Sequence, residues 1–309
     1  GGGFHGKSTV LQALQRGHLD HIPGDGRETV VSSSTTVKIR AEDGRSIIDV
    51  NISAFLNKLP GNKDTTHFRT ADASGSTSQA AAIIEAIEAG ATTLLMDEDT
   101  SATNLLVRDN RMRALIPEES EPITPLVERI RQLHDAWSVS TIMVVGGVAD
   151  YLAVADHVIA MDHFSPRDVT NQARQLIEEV PKPPGILPPL TPRIPLQAGL
   201  APNKIRARNE RRIGYGSGEI ELSAVEHILD RSHAATIGEA LRVLHDDFIN
   251  NKRNISQLLD ALDAILDDEG VEVLSPRSFP TGDLIRPRRH EIAAALSRHR
   301  SLTVKAKPI

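Results

Sequence analysis

The first nine residues combine glycines, a lysine and hydroxyl groups in an order suited to holding phosphates. They read Gly-Gly-Gly-Phe-His-Gly-Lys-Ser-Thr, and apolar residues at helical spacing follow. Glycines let successive backbone N–H groups curve around an anion, a lysine neutralises phosphate oxygens, and a serine hydroxyl binds Mg²⁺. The N-terminus of the following helix adds a favourable dipole. We therefore predict a nucleotide-binding loop with contacts from Gly1, Gly3, Gly6, Lys7, Ser8 and Thr9.

Two adjacent acids, Asp97 and Glu98, directly follow a short apolar run at residues 92–96. A buried strand over this run would place Asp97 beside the phosphate loop, where its carboxylate can hold Mg²⁺ together with Ser8. Glu98 would then lie on the γ-phosphate side, where a carboxylate can orient or deprotonate an attacking water. The predicted catalytic residues are Lys7 and Glu98, and the predicted metal ligands are Ser8 and Asp97.

Residues 97–104, Asp-Glu-Asp-Thr-Ser-Ala-Thr-Asn, resemble the D-E-P-T-S-A-L-D run that joins the Walker B carboxylates to the D-loop in ABC-class ATPases. Residues 73–79, Ala-Ser-Gly-Ser-Thr-Ser-Gln, resemble a degenerate form of the family's L-S-G-G-Q signature. In that family the signature faces the γ-phosphate held by a second subunit. The resemblance therefore implies ATP and Mg²⁺ as cofactors, a homodimer, and further nucleotide contacts from Ser74, Gly75, Ser76 and Ser101.

The sequence departs from this family at two sensor positions. Residues 141–147 resemble the strand that ends in the family's switch histidine, but Gly147 stands at the histidine position. Asp150 and Tyr151 are nearby candidates for that role. The family's Q-loop glutamine is also not evident, and Asn51 or Ser53 are its candidate substitutes.

These departures, with the runs at residues 21–28 and 283–289, resemble the predicted ATPases of the ABC class that stand alone, without transmembrane partners. The resemblance covers essentially the whole chain. A phosphate loop normally follows a central strand, and no residues precede Gly1, so we expect the chain to be an N-terminally truncated piece of a longer protein. The predicted localisation is cytoplasmic, although a missing start would hide any targeting signal.

Strand-type and helix-type segments alternate from residue 1 to about 180, which predicts an α/β domain. The resemblance makes it a P-loop NTPase domain of the ABC ATPase type, over residues 1–180. Residues 181–203 hold eight prolines and should form a linker. Residues 204–309 should form a smaller, mainly helical accessory domain.

The sequence also predicts the burial and the position of individual strands and helices. The apolar runs at residues 92–96 and 141–145 predict strands buried on both faces. The accessory domain should contain a single short strand, near residues 219–222. Its first helix should lie near residues 224–229.

Composition narrows the class of protein further. The chain has no cysteine, which excludes disulfides and thiolate metal sites, and its net charge of −6 gives no overall attraction to nucleic acid. No apolar run reaches the length of a bilayer span. The twelve histidines are scattered, so surface or hydrogen-bonded roles are favoured over a zinc site.

Basic residues cluster at residues 204–212 and 286–307, which makes RNA or DNA a possible partner. A solvated face, or arginines that pair across a subunit interface, is the favoured explanation, because aromatic residues do not interleave with the charges. Two other functions stay open from sequence. One is a P-loop kinase acting on a small molecule, and the other is a nucleic-acid scaffold that uses ATP structurally.

Overall fold

The computed structural model describes residues 4–109, 121–177, 180–198, 200, 204–278, 280 and 282–306. The chain divides into two compact units. The first unit is Gly1–Ala41, Ser53–Lys63 and Thr92–Pro189, and the second is Glu42–Ile52, Asp64–Ala91 and Leu190–Ile309. The second unit thus draws two segments from the predicted N-terminal domain.

The described residues form eight helices and twelve strands. The helices are α1 (Lys7–Arg16), α2 (Gly75–Glu88), α3 (Thr103–Leu106), α4 (Leu126–Trp137), α5 (Thr170–Gln175), α6 (Arg231–Val243), α7 (Ile255–Asp268) and α8 (Arg289–Arg298). The strands are β1 (Thr36–Lys38), β2 (Arg45–Val50), β3 (Phe68–Ala73), β4 (Thr93–Asp97), β5 (Ser140–Val144), β6 (Ile159–Asp162), β7 (Ser165–Asp168), β8 (Arg193–Pro195), β9 (Ile205–Asn209), β10 (Arg212–Tyr215), β11 (Gly218–Glu221) and β12 (Val304–Ala306).

The first unit is built on a parallel sheet in the order β1-β4-β5. The central strand β4 is a continuous apolar run because it is covered on both faces, and Leu94, Leu95 and Met96 are fully buried. Helix α1 places Leu11 in this core, and α4 contributes Leu126 and Leu133. The first unit is therefore α/β, as expected.

Strand β5 departs from the expectation of burial on both faces. Ile142 is 40% exposed, and Ser140 is also exposed. Among the described strands β5 pairs with β4 alone, so it is an edge strand of this sheet. An apolar run by itself does not tell an edge strand from a central one.

The second unit contains three small sheets and four helices among the described residues. Strands β2 and β3 pair antiparallel, as do β8 and β12, and β9, β10 and β11 form a meander. The core contains fully buried Ile237 from α6, Leu262 from α7 and Ile292 from α8. No described helix has both the length and the hydropathy needed to cross a bilayer.

The meander corrects the expectation of a single strand in this region. Ala207, Ile213 and Ile220 are buried, one from each strand, and charged residues occupy the exposed positions between them. The strands are short and carry many charges, so their period of two is hard to see in sequence.

The helix expected near residues 224–229 is also wrong, because turns occupy that segment. Helix α6 begins only at Arg231, where the Asp230 side chain accepts a hydrogen bond from the backbone N–H of His233. An aspartate that bonds the third residue after it is a strong helix start signal.

Part of the proline-rich segment is anchored rather than a simple connector. Strand β8 lies within it and carries Arg193, which is 2% exposed. The guanidinium donates to Glu88 at 2.8 Å and to the Ser297 hydroxyl at 2.9 Å, and lies 3.6 Å from Glu85. Burial raises the pKa of Glu88 above its ordinary value, although the charge of Arg193 opposes this. This arginine therefore joins α2, α8 and β8 within the second unit.

Replacing this arginine with an apolar side chain, Arg193→Met, should destabilise the protein strongly. It leaves the Glu88 carboxylate buried without its guanidinium, at a cost of about 3–5 kcal/mol near pH 8. The loss should shrink toward pH 5, because the raised pKa of Glu88 then lets it become protonated and neutral. Urea unfolding of both proteins at the two pH values measures this.

The control is Arg212→Met, which removes the exposed pair with Glu221. That change should cost about 0–1 kcal/mol. Equal losses in the two variants would contradict the role assigned to the buried arginine.

Candidate functional site

The described part of the phosphate loop ends at the start of α1. Gly6 precedes the helix with φ +92°, a left-handed conformation that favours glycine. A Cβ at Gly6 would also lie 2.6 Å from Cδ1 of Phe164, so a side chain there would collide with that ring. Lys7 is half-buried, and Ser8 and Thr9 are exposed in the first turn of α1. Two of the predicted contacts, Gly1 and Gly3, lie outside the described residues.

Strand β4 ends in the two predicted acids. Asp97 is 6% exposed, and one of its carboxylate oxygens accepts the N–H of Asp99 at 3.4 Å. Glu98 begins a 3₁₀ turn, Glu98–Thr100, and is less buried. One oxygen of Glu98 accepts two backbone hydrogen bonds, from Gly146 at 2.6 Å and from Gly147 at 2.9 Å.

Gly146 is bordered by both predicted catalytic residues. A Cβ placed on it would lie 3.3 Å from Nζ of Lys7 and 3.7 Å from a carboxylate oxygen of Glu98. Partial burial pushes the pKa of Glu98 upward. The N–H groups of residues 146–148 and the charge of Lys7 outweigh that effect, so the pKa lies below its ordinary value. Glu98 is therefore held as an ionised carboxylate.

Ser8 and Asp97 are the residues that could hold Mg²⁺. A serine hydroxyl and a carboxylate are oxygen ligands of the kind that this ion prefers. Their positions fit the role, since the hydroxyl lies in the first turn of α1 and the carboxylate at the end of the central strand.

A second group with metal-ligand chemistry lies at the β6–β7 turn. Ligand atoms of His5, Asp162 and His163 lie within 4.8 Å of one another. The Asp162 carboxylate is 2.8 Å from Nδ1 of His163 and 3.4 Å from Nδ1 of His5. This group is not evident in the sequence, because His5 lies in the phosphate loop, far from Asp162 and His163. The contacts of the two histidines with Asp162, and the exposure of His163, are explained by a surface turn held by ion pairs.

The signature-like residues lie in the second unit, at the start of α2. Ser74 is exposed and precedes the first helical residue, Gly75, which is half-buried. The Ser74 hydroxyl lies 2.9 Å from that of Thr77. Ser76 is only 7% exposed. Ser74 and Gly75 thus present a surface at this helix terminus, whereas Ser76 does not.

Two family models match the chain. The ABC ATPase P-loop domain matches residues 1–186, and the MRB1590 C-terminal domain matches residues 204–305. The chain belongs to the ABC ATPase family. The two matches lie on either side of residues 187–203. The second compact unit, however, combines residues from both sides of that segment, so the predicted domain boundaries stay predictions.

One curated relative of this ABC ATPase is the uncharacterized protein MJ1628 of Methanocaldococcus jannaschii. The two chains are 33% identical over 159 residues, which is 51% of this chain. The match spans about a third of the relative's own length, 34%.

The family's sensor positions are filled differently here. At the switch-histidine position the chain presents backbone N–H groups of two glycines to Glu98, a contact that sequence reasoning missed. The only signal for it is the pair of adjacent glycines. Tyr151 does not fit the sensor role, because its hydroxyl is buried and donates to the Leu106 carbonyl. Asp150 is exposed.

The candidate Q-loop substitutes and the D-loop have different surroundings. Asn51 and Ser53 are both buried, and the Asn51 amide donates to the Thr191 hydroxyl at 3.0 Å. Ser101 is half-buried, and its backbone N–H donates to the Glu98 carbonyl at 3.3 Å. Ser101 therefore closes the turn that begins at Glu98, while Asn51 contributes to the packing of the second unit.

Most arginines of the two basic clusters with described side chains are used internally. Their pairs, with N to O distances of 2.5–3.4 Å, are Arg208–Glu219, Arg211–Glu210, Arg212–Glu221, Arg286–Asp267, Arg288–Glu291, Arg289–Asp260 and Arg298–Glu42. Most of these arginines thus have an acidic partner within the chain, and whether nucleic acid binds them stays a prediction.

Inserting a side chain at the glycine pair should impair nucleotide turnover without unfolding the protein. In Gly146→Val the new Cβ would lie 3.3 Å from the ammonium of Lys7 and 3.7 Å from a carboxylate oxygen of Glu98, and the two methyl groups need further space. We expect ATP hydrolysis to fall by about 10- to 100-fold, as is typical when a catalytic group is displaced by about 1 Å. Because Gly146 is exposed and its φ is ordinary, thermal stability should change little.

The matched control is Gly282→Val, at a described glycine with ordinary φ and open space where the Cβ would lie. It should leave hydrolysis unchanged. Steady-state phosphate release and thermal unfolding are measured for both variants. If Gly146→Val turns over ATP at the wild-type rate, the close approach at this glycine has no catalytic meaning.

Proposed function

We propose that this protein binds and hydrolyses MgATP between the two subunits of a homodimer. The observation that supports this best is the convergence of Lys7, Glu98 and Gly146 in the first unit. A lysine and an ionised carboxylate beside a phosphate loop are the groups that phosphoryl transfer to water requires.

Each residue has a distinct chemical task in this proposal. The Lys7 ammonium neutralises charge on the transferring phosphoryl group, and the N-terminus of α1 adds its dipole. Mg²⁺, held by Ser8 and Asp97, would neutralise phosphate oxygens. Glu98 orients the attacking water or takes its proton. The lowered pKa of Glu98 leaves it ionised at neutral pH but makes it a weaker base, which favours orienting the water over taking its proton.

The dimer is supported by the surface at the start of α2. Ser74 and Gly75 are accessible at the N-terminus of a helix of 14 residues, where backbone N–H groups favour an anion. In the family this segment meets the γ-phosphate of the other subunit. Ser101 follows Glu98 in the same turn, so it is suited to link the two nucleotide sites. The dimer would then open after hydrolysis, and this change in conformation would be passed to the flanking parts of each subunit.

The variant Glu98→Gln tests hydrolysis and dimerisation together. In the full-length protein it should abolish ATP hydrolysis but keep ATP binding, because the phosphate loop is unchanged. We expect a dimer with MgATP and a monomer without it, measured by light scattering after size exclusion. The control Lys7→Ala should bind ATP weakly and stay monomeric. A monomer in all conditions, with hydrolysis intact in Glu98→Gln, would contradict both halves of the proposal.

The same measurements separate the alternatives. A small-molecule kinase would consume ATP only when an acceptor is added. A nucleic-acid scaffold would show no hydrolysis together with ATP-independent RNA binding that weakens steeply with salt. RNA or DNA as a partner of an active ATPase would instead raise the rate of phosphate release above its basal value.

A further inference from the structure

Exposed aromatic side chains occur at one place in the described part of the chain. The sequence has only six Phe, two Tyr and one Trp. Of those that the structure describes, Phe4 and Phe164 are exposed, Phe164 to 64%, and the others are buried or half-buried. Both exposed rings border the phosphate loop. Phe4 belongs to the loop itself, and the ring of Phe164 packs against Gly6.

The position of Phe164 is fixed by the phosphate loop. His163 and Phe164 form the two-residue turn between β6 and β7. The backbone N–H of His163 donates to Nδ1 of His5 at 2.9 Å, and that of Phe164 donates to the His5 carbonyl at 3.1 Å. The Asp162 carboxylate contacts both histidines. The turn is therefore attached to the loop on the side of His5.

The residue types in this turn are unfavourable for the turn alone. Both central residues have positive φ, 46° for His163 and 65° for Phe164. A two-residue turn of this kind favours Asn and Gly, and a bulky side chain with positive φ is unusual. Strained residues of this kind are found preferentially at ligand sites. Here the strain holds a flat apolar ring in solvent beside the phosphate loop.

We propose that Phe164 stacks on the base of the nucleotide whose phosphates occupy this loop, so that the β6–β7 turn is the base-binding element. This proposal rests on the proposed function, since it assumes a nucleoside triphosphate at the loop. An aromatic ring offers a base a complementary flat surface, and stacking accepts any base because each has a π face. A base bound there would cover the apolar ring that is otherwise exposed to water.

The test compares ATP with inorganic tripolyphosphate, which carries the phosphates but no base. Both are titrated by calorimetry, with Mg²⁺, into the full-length wild-type protein and its Phe164→Ala variant. ATP affinity should fall about 5- to 150-fold in the variant, as loss of one base–aromatic stack implies. Tripolyphosphate affinity should stay within about twofold. Phe164→Tyr should retain ATP affinity, because it keeps the ring.

The matched control is Leu176→Ala, which removes an exposed apolar side chain outside the phosphate loop and the β6–β7 turn and should leave ATP affinity unchanged. If Phe164→Ala weakens both ligands equally, the ring only supports the loop, and the proposal is wrong. It is equally wrong if ATP affinity does not change. If the wild type binds neither ligand, the proposed function fails as well, so the two failures are distinguishable.

Discussion

The carboxyl end of strand β4 is the constraint that organises the first unit. Parallel pairing aligns Asp97 with Val144 of β5, so the residues that follow the two strands leave the sheet at the carboxyl ends of the strands, side by side. That alignment brings Glu98 to the N–H groups of Gly146 and Gly147. Because β4 is buried on both faces, the packing of the core fixes the position of Asp97 at the end of the strand. The loops that surround the two acids need only bring their backbone groups within reach of these carboxylates.

The second unit has an equivalent constraint in its buried charges. Arg193 and Arg45 hold the acids at the C-terminal end of α2, and Arg298 of α8 pairs with Glu42. Removing one partner from such a network is costly, because it leaves a charge buried without compensation. These buried charges therefore tie α2 to β8 and α8. Under the proposed function, a change in conformation at Ser74 on binding the phosphate would be passed directly to the C-terminal region.

Local residue patterns predicted the parts of the site that depend on local chemistry. The glycine–lysine–serine run predicted α1, and the apolar run before Asp97 predicted β4, because both signals lie within a few residues. Features set by distant pairing were not predicted. The exposed edge of β5, the strand β8 within the prolines and the pairing of Arg193 depend on residues far apart in sequence. The strands β9 and β10 were hidden by their charged exposed positions.

The glycine pair after β5 gives Glu98 two backbone partners where the family that the sequence resembles has a histidine. A switch histidine would offer one ring N–H, whereas Gly146 and Gly147 offer two backbone N–H groups at 2.6 and 2.9 Å from one carboxylate oxygen. Backbone donors carry no titratable proton, so this contact does not change with pH near neutrality as a histidine contact would. A Cβ at Gly146 would lie 3.3 Å from Nζ of Lys7 and one at Gly147 would lie 3.4 Å from a carboxylate oxygen of Glu98, so a side chain at either position would press on these groups.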